Sequence, residues 1–157
     1  MAKFTVNNTF AGSPQSLSTS FKTITSLTAQ TSGLRRAWVY DISFGLSDVP
    51  NATDCPYVFD VSRQTTLGTG TNATPAPLDT ADTACTTVAT VNYTVEPTIT
   101  ASTELLTMGL NQRASFRWVA VPGSELVIPA TNVNGIAGRM KSTNYASTAI
   151  CDMKFFE

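Results

Sequence analysis

From the amino end onward the chain alternates apolar and polar residues in one short run after another. No window of a dozen residues places apolar positions at 3.6-residue spacing with good helix formers between them. The clearest run is Trp38-Val39-Tyr40-Asp41-Ile42-Ser43-Phe44, closed by Gly45. Period two puts Trp38, Tyr40, Ile42 and Phe44 on one face and Asp41 and Ser43 on the other. Tyr57 to Arg63 repeats the pattern with Tyr57, Phe59 and Val61 inward. Thr87 to Val95 groups Val91, Tyr93 and Val95, and Leu106, Met108 and Leu110 mark a further strand. Ala114 to Val121 sets Phe116, Trp118 and Ala120 opposite Ser115 and Arg117. Leu126-Val127-Ile128 is a short strand between Pro122-Gly123 and Pro129. Ile136 to Lys141 follows, and Thr148 to Phe156 aligns Ala149, Cys151, Met153 and Phe155. Near the amino end, Phe4 to Phe10 and Ser20 to Ile24 are weaker strands.

Many short strands punctuated by turn residues, with no helical crossovers, predict an all-β fold: an antiparallel, jelly-roll-like β-sandwich of about eight to ten strands. Two segments break the rhythm. Residues 65–85 are rich in Thr, Gly, Pro and Ala and read as one long loop. Residues 1–20 are polar and thinly apolar and read as an N-terminal arm or edge strand. Residues 21–157 then form a single sandwich domain. The arm residues Phe4, Val6 and Phe10 would gain most by pairing along a sheet edge, on this domain or on a neighbour.

Composition narrows the function. The chain has 157 residues, 42% of them hydrophobic and only 13% charged. That is about half the charge of an average globular protein, which suits surfaces covered by partners. The net charge is −1, and Arg35-Arg36 is the only adjacent basic pair, so no nucleic-acid partner is expected. No apolar run approaches the ~18 residues of a membrane helix, and the first residues lack a signal peptide's apolar stretch. The expectation is a protein made in the cytosol, with no membrane partner and with Cys55, Cys85 and Cys151 as free thiols. A Cys55–Cys85 bridge formed after cell lysis is the alternative.

Candidate chemistry is thin. The chain has no histidine, which removes the commonest general base and metal ligand. No Cys-x-x-Cys spacing supports zinc, and Gly68-Thr69-Gly70 lacks the rest of a phosphate loop. Asp41 and Asp60 fall on the non-core faces of two strands, where a glycosidase pair is conceivable, but solvated strand carboxylates are the better reading. The Asp48–Asp54 and Asp79–Asp82 loops could hold calcium, although neither has the spacing of a calcium loop, and turn chemistry explains their Asp and Asn. Trp38 and Trp118 could stack on sugars, but their phase with other large apolar residues favours the core. No catalytic residue, cofactor or metal is expected.

The order of these pieces resembles the decoration, or cement, proteins of tailed bacteriophages, of the jelly-roll type. The resemblance rests on Arg36 to Gly45, Thr74 to Asp79 with its Pro75-x-Pro77-Leu78-Asp79 turn, Phe116 to Val121, Pro122-Gly123-Ser124-Glu125-Leu126-Val127-Ile128, and Ala149 to Glu157. It implies a non-enzymatic virion structural protein on the outer capsid surface, made in the host cytoplasm. It further implies contacts with the major capsid protein and association into homotrimers. Phe4, Val6 and Phe10 of the arm and Pro75, Pro77 and Leu78 of the loop are the expected partner-binding residues. The alternative is a carbohydrate-binding jelly-roll module of a host-adhesion apparatus, which would set aromatic residues out of phase with the core.

Overall fold

The computed structural model describes residues 1–30 and 32–157, with Phe10 and Ala11 described in the backbone alone. The strands are β1 (Lys3–Asn7), β2 (Gln15–Ser16), β3 (Lys22–Thr28), β4 (Ala37–Leu46), β5 (Pro56–Gln64), β6 (Thr69–Ala73) and β7 (Ala76–Pro77), followed by β8 (Val88–Val95), β9 (Ile99–Asn111), β10 (Phe116–Val119), β11 (Leu126–Ile128), β12 (Gly135–Ser142) and β13 (Thr148–Phe156). A 3₁₀ turn spans Asn8–Ala11, and no α-helix occurs among the described residues. One sheet runs β10-β4-β13-β1-β7, with β11 also on β4 and β2 on β13; the other runs β6-β8-β3-β12-β5-β9. Among the described residues every strand pair is antiparallel. The all-β sandwich expected from the alternation is therefore the fold.

The predicted inward rows of β5 and β13 make the core. Tyr57, Phe59 and Val61 of β5 and Ala149, Cys151, Met153 and Phe155 of β13 are all fully buried. Phe44 stacks on Phe59 at 3.5 Å between ring centres, which sets β4 over β5. Thr25 Oγ1 donates to the Cys151 carbonyl at 3.2 Å, which sets β3 under β13. Gly138 lies between them because a methyl there would come within 2.6 Å of Met153 Cε. With β12 lying between β5 and β3, this arrangement turns β10 towards the β9 side of the second sheet and β7 towards its β6 side.

Strict alternation fails in two places, each for a local reason. In β4, Lys154 pairs with Asp41 while Phe155 pairs with Val39, so Tyr40 is an extra residue. This bulge reverses the phase of the strand. Val39, Ile42 and Phe44 point inward, while Trp38 and Tyr40 lie on the outer face and are only half-buried. The core placement expected for Trp38 is thereby corrected. Trp118 pairs with Ile42 on the inner side, but on an edge strand, and stays half-buried, as does Phe116. In β8, Asn92 takes φ 52°, which sends Tyr93 away from the row of Val91. Tyr93 instead meets Ser26 on the outer face of the second sheet.

Of the two forms expected for the amino-terminal segment, a free arm or a strand paired with its own domain, β1 takes the second. It is paired along its whole length with β13 and at Phe4 and Thr5 with β7, and Phe4 is 1% exposed and stacks on Phe155 at 5.5 Å. Phe4 and Val6, thinly spread as they are, have a ready-made sheet to complete. The 65–85 segment likewise contains two short strands, β6 and β7, rather than one continuous loop.

Candidate interaction surface

The two carboxylates considered for catalysis sit on the outer faces of different sheets. Asp41 of β4 accepts bonds from Arg117 Nε and Nη2 at 2.9 and 2.7 Å and from Lys154 Nζ at 3.1 Å. The Arg117 bonds, against the opposing effect of burial, hold its carboxyl below the usual carboxylate range, and Lys154 adds to this. Asp60 of β5 is bound by Arg139 Nε at 2.8 Å and by Ser62 Oγ. Phe21 covers that guanidinium at 4.5 Å. Each carboxylate is consumed by its own cation, and the sandwich core lies between them. The oxygen-rich loops are also locally spent. Asp79 Oδ1 accepts from the Ala81 amide, and Asp54 Oδ1 from Arg113 and Gln112. Among the described residues no group of three or more Cys, Asp or Glu could hold a metal ion. The three cysteines are free. Burial pushes the Cys151 thiol up and raises Cys85 to about 11, with the Glu157 charge adding to the latter.

Of the residues expected to bind a partner, Phe4 and Val6 are core and Pro75 is buried. The burial of β1 between neighbours is what removes them from any surface. The side chain of Phe10 lies outside the described residues. Pro77 is half-buried against Phe4, and only Leu78, 51% exposed, reaches solvent. These residues do form one group, but as the closed side of the sandwich. Asn8 Nδ2 donates to Asn92 Oδ1 and to the Ala149 carbonyl, and its Oδ1 accepts from the Cys151 amide. Asn92 reaches back to the Asn8 carbonyl at 3.0 Å. The two sheets are thus tied across their gap by side-chain amides. Glu157 accepts from the amides and hydroxyls of Thr86 and Thr87, pinning the segment after β7.

The opposite side is open. β9 is the longest strand, 13 residues, and among the described residues it pairs only with β5. Among the same residues β10 and β11, on this side of the first sheet, pair only with β4. Seven of the eleven hydrophobic residues that pack on the core while staying partly exposed come from these three strands. They are Leu105, Leu106, Met108 and Leu110 of β9, Phe116 and Trp118 of β10, and Leu126 of β11. Here the inner faces of both sheets run out to solvent, beside strand edges with unpaired backbone groups. Arg63, reaching from β5 to the Val127 carbonyl of β11, is a tie between the sheets on this side.

Next to this side, the bulge in β4 gathers Trp38, Tyr40 and Phe156 on the outer face of the first sheet. Phe156 stacks with Trp38 at 5.5 Å and with Tyr40 at 6.0 Å. A shallow cleft of about 200 Å³ lies beside them, lined by Lys3, Tyr40, Ala120, Pro122, Glu125 and Phe156. Val119, the last residue of β10, and Val121 just beyond it stand exposed, Val121 at 71%. The sequence reading missed both surfaces. The open side had a signal in the uncharged length of residues 99–111, broken only by Glu104. The outer aromatic group had none, because a bulge leaves no mark in the alternation of a single strand. No protein-family model, no curated protein and no solved structure matches the chain.

Proposed function

We propose that this chain is a non-enzymatic virion structural protein that decorates a phage capsid and stabilises it through contacts with the major capsid protein. The observation that carries the reading is the open side. A lateral surface of unpaired strand edges and half-exposed core residues is equipment for joining another β-rich surface. The ionisable groups support the same reading, since Asp41 and Asp60 are spent on neighbouring cations instead of converging on a cleft. A sandwich of two closely packed antiparallel sheets suits a protein that must resist outward pressure on a shell. The test is to add purified protein to expanded capsids that lack it and to measure occupancy and resistance to heat. Saturable, symmetric binding supports the proposal. Failure to bind, with the folded protein absent from purified particles by mass spectrometry, overturns it.

A second reading, a carbohydrate-binding module of a host-adhesion apparatus, gains from one observation. Trp38 and Tyr40 are out of phase with the core and stand with Phe156 beside a cleft carrying Lys3 and Glu125. Aromatic faces flanked by polar groups are how proteins hold sugars. Glycan-array binding that is lost in Tyr40→Ala would favour this reading over the first.

A further inference from the structure

The outer face of the first sheet carries a second hollow, larger than the cleft beside Tyr40. Its volume is about 420 Å³, within the roughly 300–1,000 Å³ of small-molecule sites. Gly45 makes its floor, because a glycine leaves a gap in the row of side chains on that face. A methyl there would come within 3.3 Å of Ser115 Cβ on one side, and Ile150 of β13 is paired with Gly45 on the other. Ser43 and Arg117, themselves a cross-strand pair, make the next row. Arg117 spends Nε and Nη2 on Asp41, which leaves the Nη1 donors for a ligand. Among the described residues no side-chain hydrogen bond engages the hydroxyl of Ser43 or of Ser115. Hydroxyl and guanidinium groups thus stand around the apolar wall of Ile150.

We propose that this hollow holds one ring of a neutral oligosaccharide, whose chain runs along β4 to the cleft beside Tyr40 and Phe156. A sugar ring carries hydroxyls around its rim and C–H groups on its faces. A hollow that sets serine hydroxyls and a guanidinium around an aliphatic wall matches both. Gly45 and Tyr40 lie on one strand, about 16 Å apart at the rise of extended backbone. One ring cannot reach across that distance, so the ligand is a chain. The stretch between the two ends is polar. It holds Asp41, bound by Arg117 and Lys154, and Asp152, which accepts from Thr5 Oγ1 at 3.1 Å. Charge selects the class of sugar. Arg117, Lys154 and Lys3 are matched by Asp41, Asp152 and Glu125, so the face has no excess charge to attract a sialic or uronic acid. The inference rests on the carbohydrate-binding reading and extends it from one cleft to a second subsite. It is independent of the capsid proposal.

The probe is an array of neutral and acidic oligosaccharides of increasing length, read with the full chain. The expected result is binding of neutral chains in preference to single sugars and to acidic chains. Titration calorimetry with the best-bound neutral oligosaccharide then measures the variants. Ser115→Ile fills the hollow from an exposed position, and Arg117→Gln withdraws the guanidinium from a side chain that is 63% exposed. Both are expected to give the parent's circular dichroism and to weaken binding about 10-fold or more, as is Tyr40→Ala. If Tyr40→Ala loses binding while both hollow variants keep the parent affinity, the second subsite is overturned and the carbohydrate-binding reading stands. If the folded protein binds nothing on the array, both are overturned. A preference for acidic glycans overturns the assignment of a neutral ligand.

Discussion

The two lateral sides of this sandwich solve the same problem in opposite ways. Where β1, the 3₁₀ turn and β7 meet β6 and β8, the gap between sheets is closed by Asn8, Asn92 and Glu157, each bonding across long sequence separations. On the side of β9, β10 and β11, the gap is filled with Leu, Met, Phe and Trp side chains that remain half in water. Here the side-chain amides spend their bonds inside the chain, and they make the closed side a finished surface. Partly wet apolar rows leave hydrophobic free energy ungained, at about 25 cal/mol per Å² of surface still exposed. That gain is realised only when something covers the rows. The closed side serves the fold, and the open side is where an interaction would be most favourable.

The strongest way to break this comparison is to remove the closed side. Deleting residues 2–18 takes away β1, the 3₁₀ turn and β2, and exposes Phe155 and Met153. The loss exceeds the roughly 5–15 kcal/mol that holds such a domain together, so the truncated chain is expected to be unfolded by circular dichroism. A folded truncation would return β1 to the status of an arm. A paired substitution sharpens the contrast. Phe4→Ala, on the closed side and fully buried, is expected to cost about 3–5 kcal/mol in urea denaturation. Phe116→Ala, half-buried on the open side, is expected to cost about 1–2 kcal/mol in the monomer. Equal costs would mean that the two sides are packed alike.

Much of the fold was legible because burial on one face writes period two into the sequence. Tyr57, Phe59 and Val61, and the row from Ala149 to Phe155, lie where the alternation put them. What was not legible depends on partners distant in sequence. The bulge at Tyr40 lies in the pairing of β4 with β13, more than a hundred residues away, and it moved Trp38 from core to surface. Phe4 and Val6 looked too few for a core because the sheet they complete is built from residues 150 positions away. β6 and β7 escaped notice because Thr, Gly and Pro carry no apolar alternation. The candidate surface was harder still, since half-exposure on an edge strand looks like burial in any periodic pattern.

A smaller effect separates the two sides by hydrogen bonding alone. Asn8→Ala removes the side chain that accepts from the buried Cys151 amide and donates to the Ala149 carbonyl and to Asn92 Oδ1. An unsatisfied buried group costs about 1–3 kcal/mol, so a loss of about 2–3 kcal/mol is expected. Thr107→Ala on the exposed edge of β9 should stay within about 0.5 kcal/mol. Denaturation midpoints of both variants measure this directly. A near-neutral Asn8→Ala would show that water replaces the amide and that the closed side is less finished than its bonds suggest.

The smallest expected effect concerns acid. Asp41 sits on the outer face beside the open side, and its carboxyl is held below its ordinary range chiefly by the Arg117 hydrogen bonds, with Lys154 adding to them against the cost of burial. A carboxyl depressed in the folded state contributes stability that is fully present above its unfolded value and is lost as pH falls through the folded one. At neutral pH the contribution is therefore complete, and it disappears only below the usual carboxylate range. Arg117 is itself 63% exposed on its side chain, so solvent screens much of the pair. Arg117→Gln is accordingly expected to lower the melting temperature only slightly at pH 7 and to flatten its fall below pH 4, because the folded and unfolded carboxyls then titrate closer together. Melting curves from pH 2 to 7 for both proteins give the comparison. If the two proteins lose stability in parallel across that range, Lys154 alone holds Asp41, and the edge strand β10 contributes nothing to it.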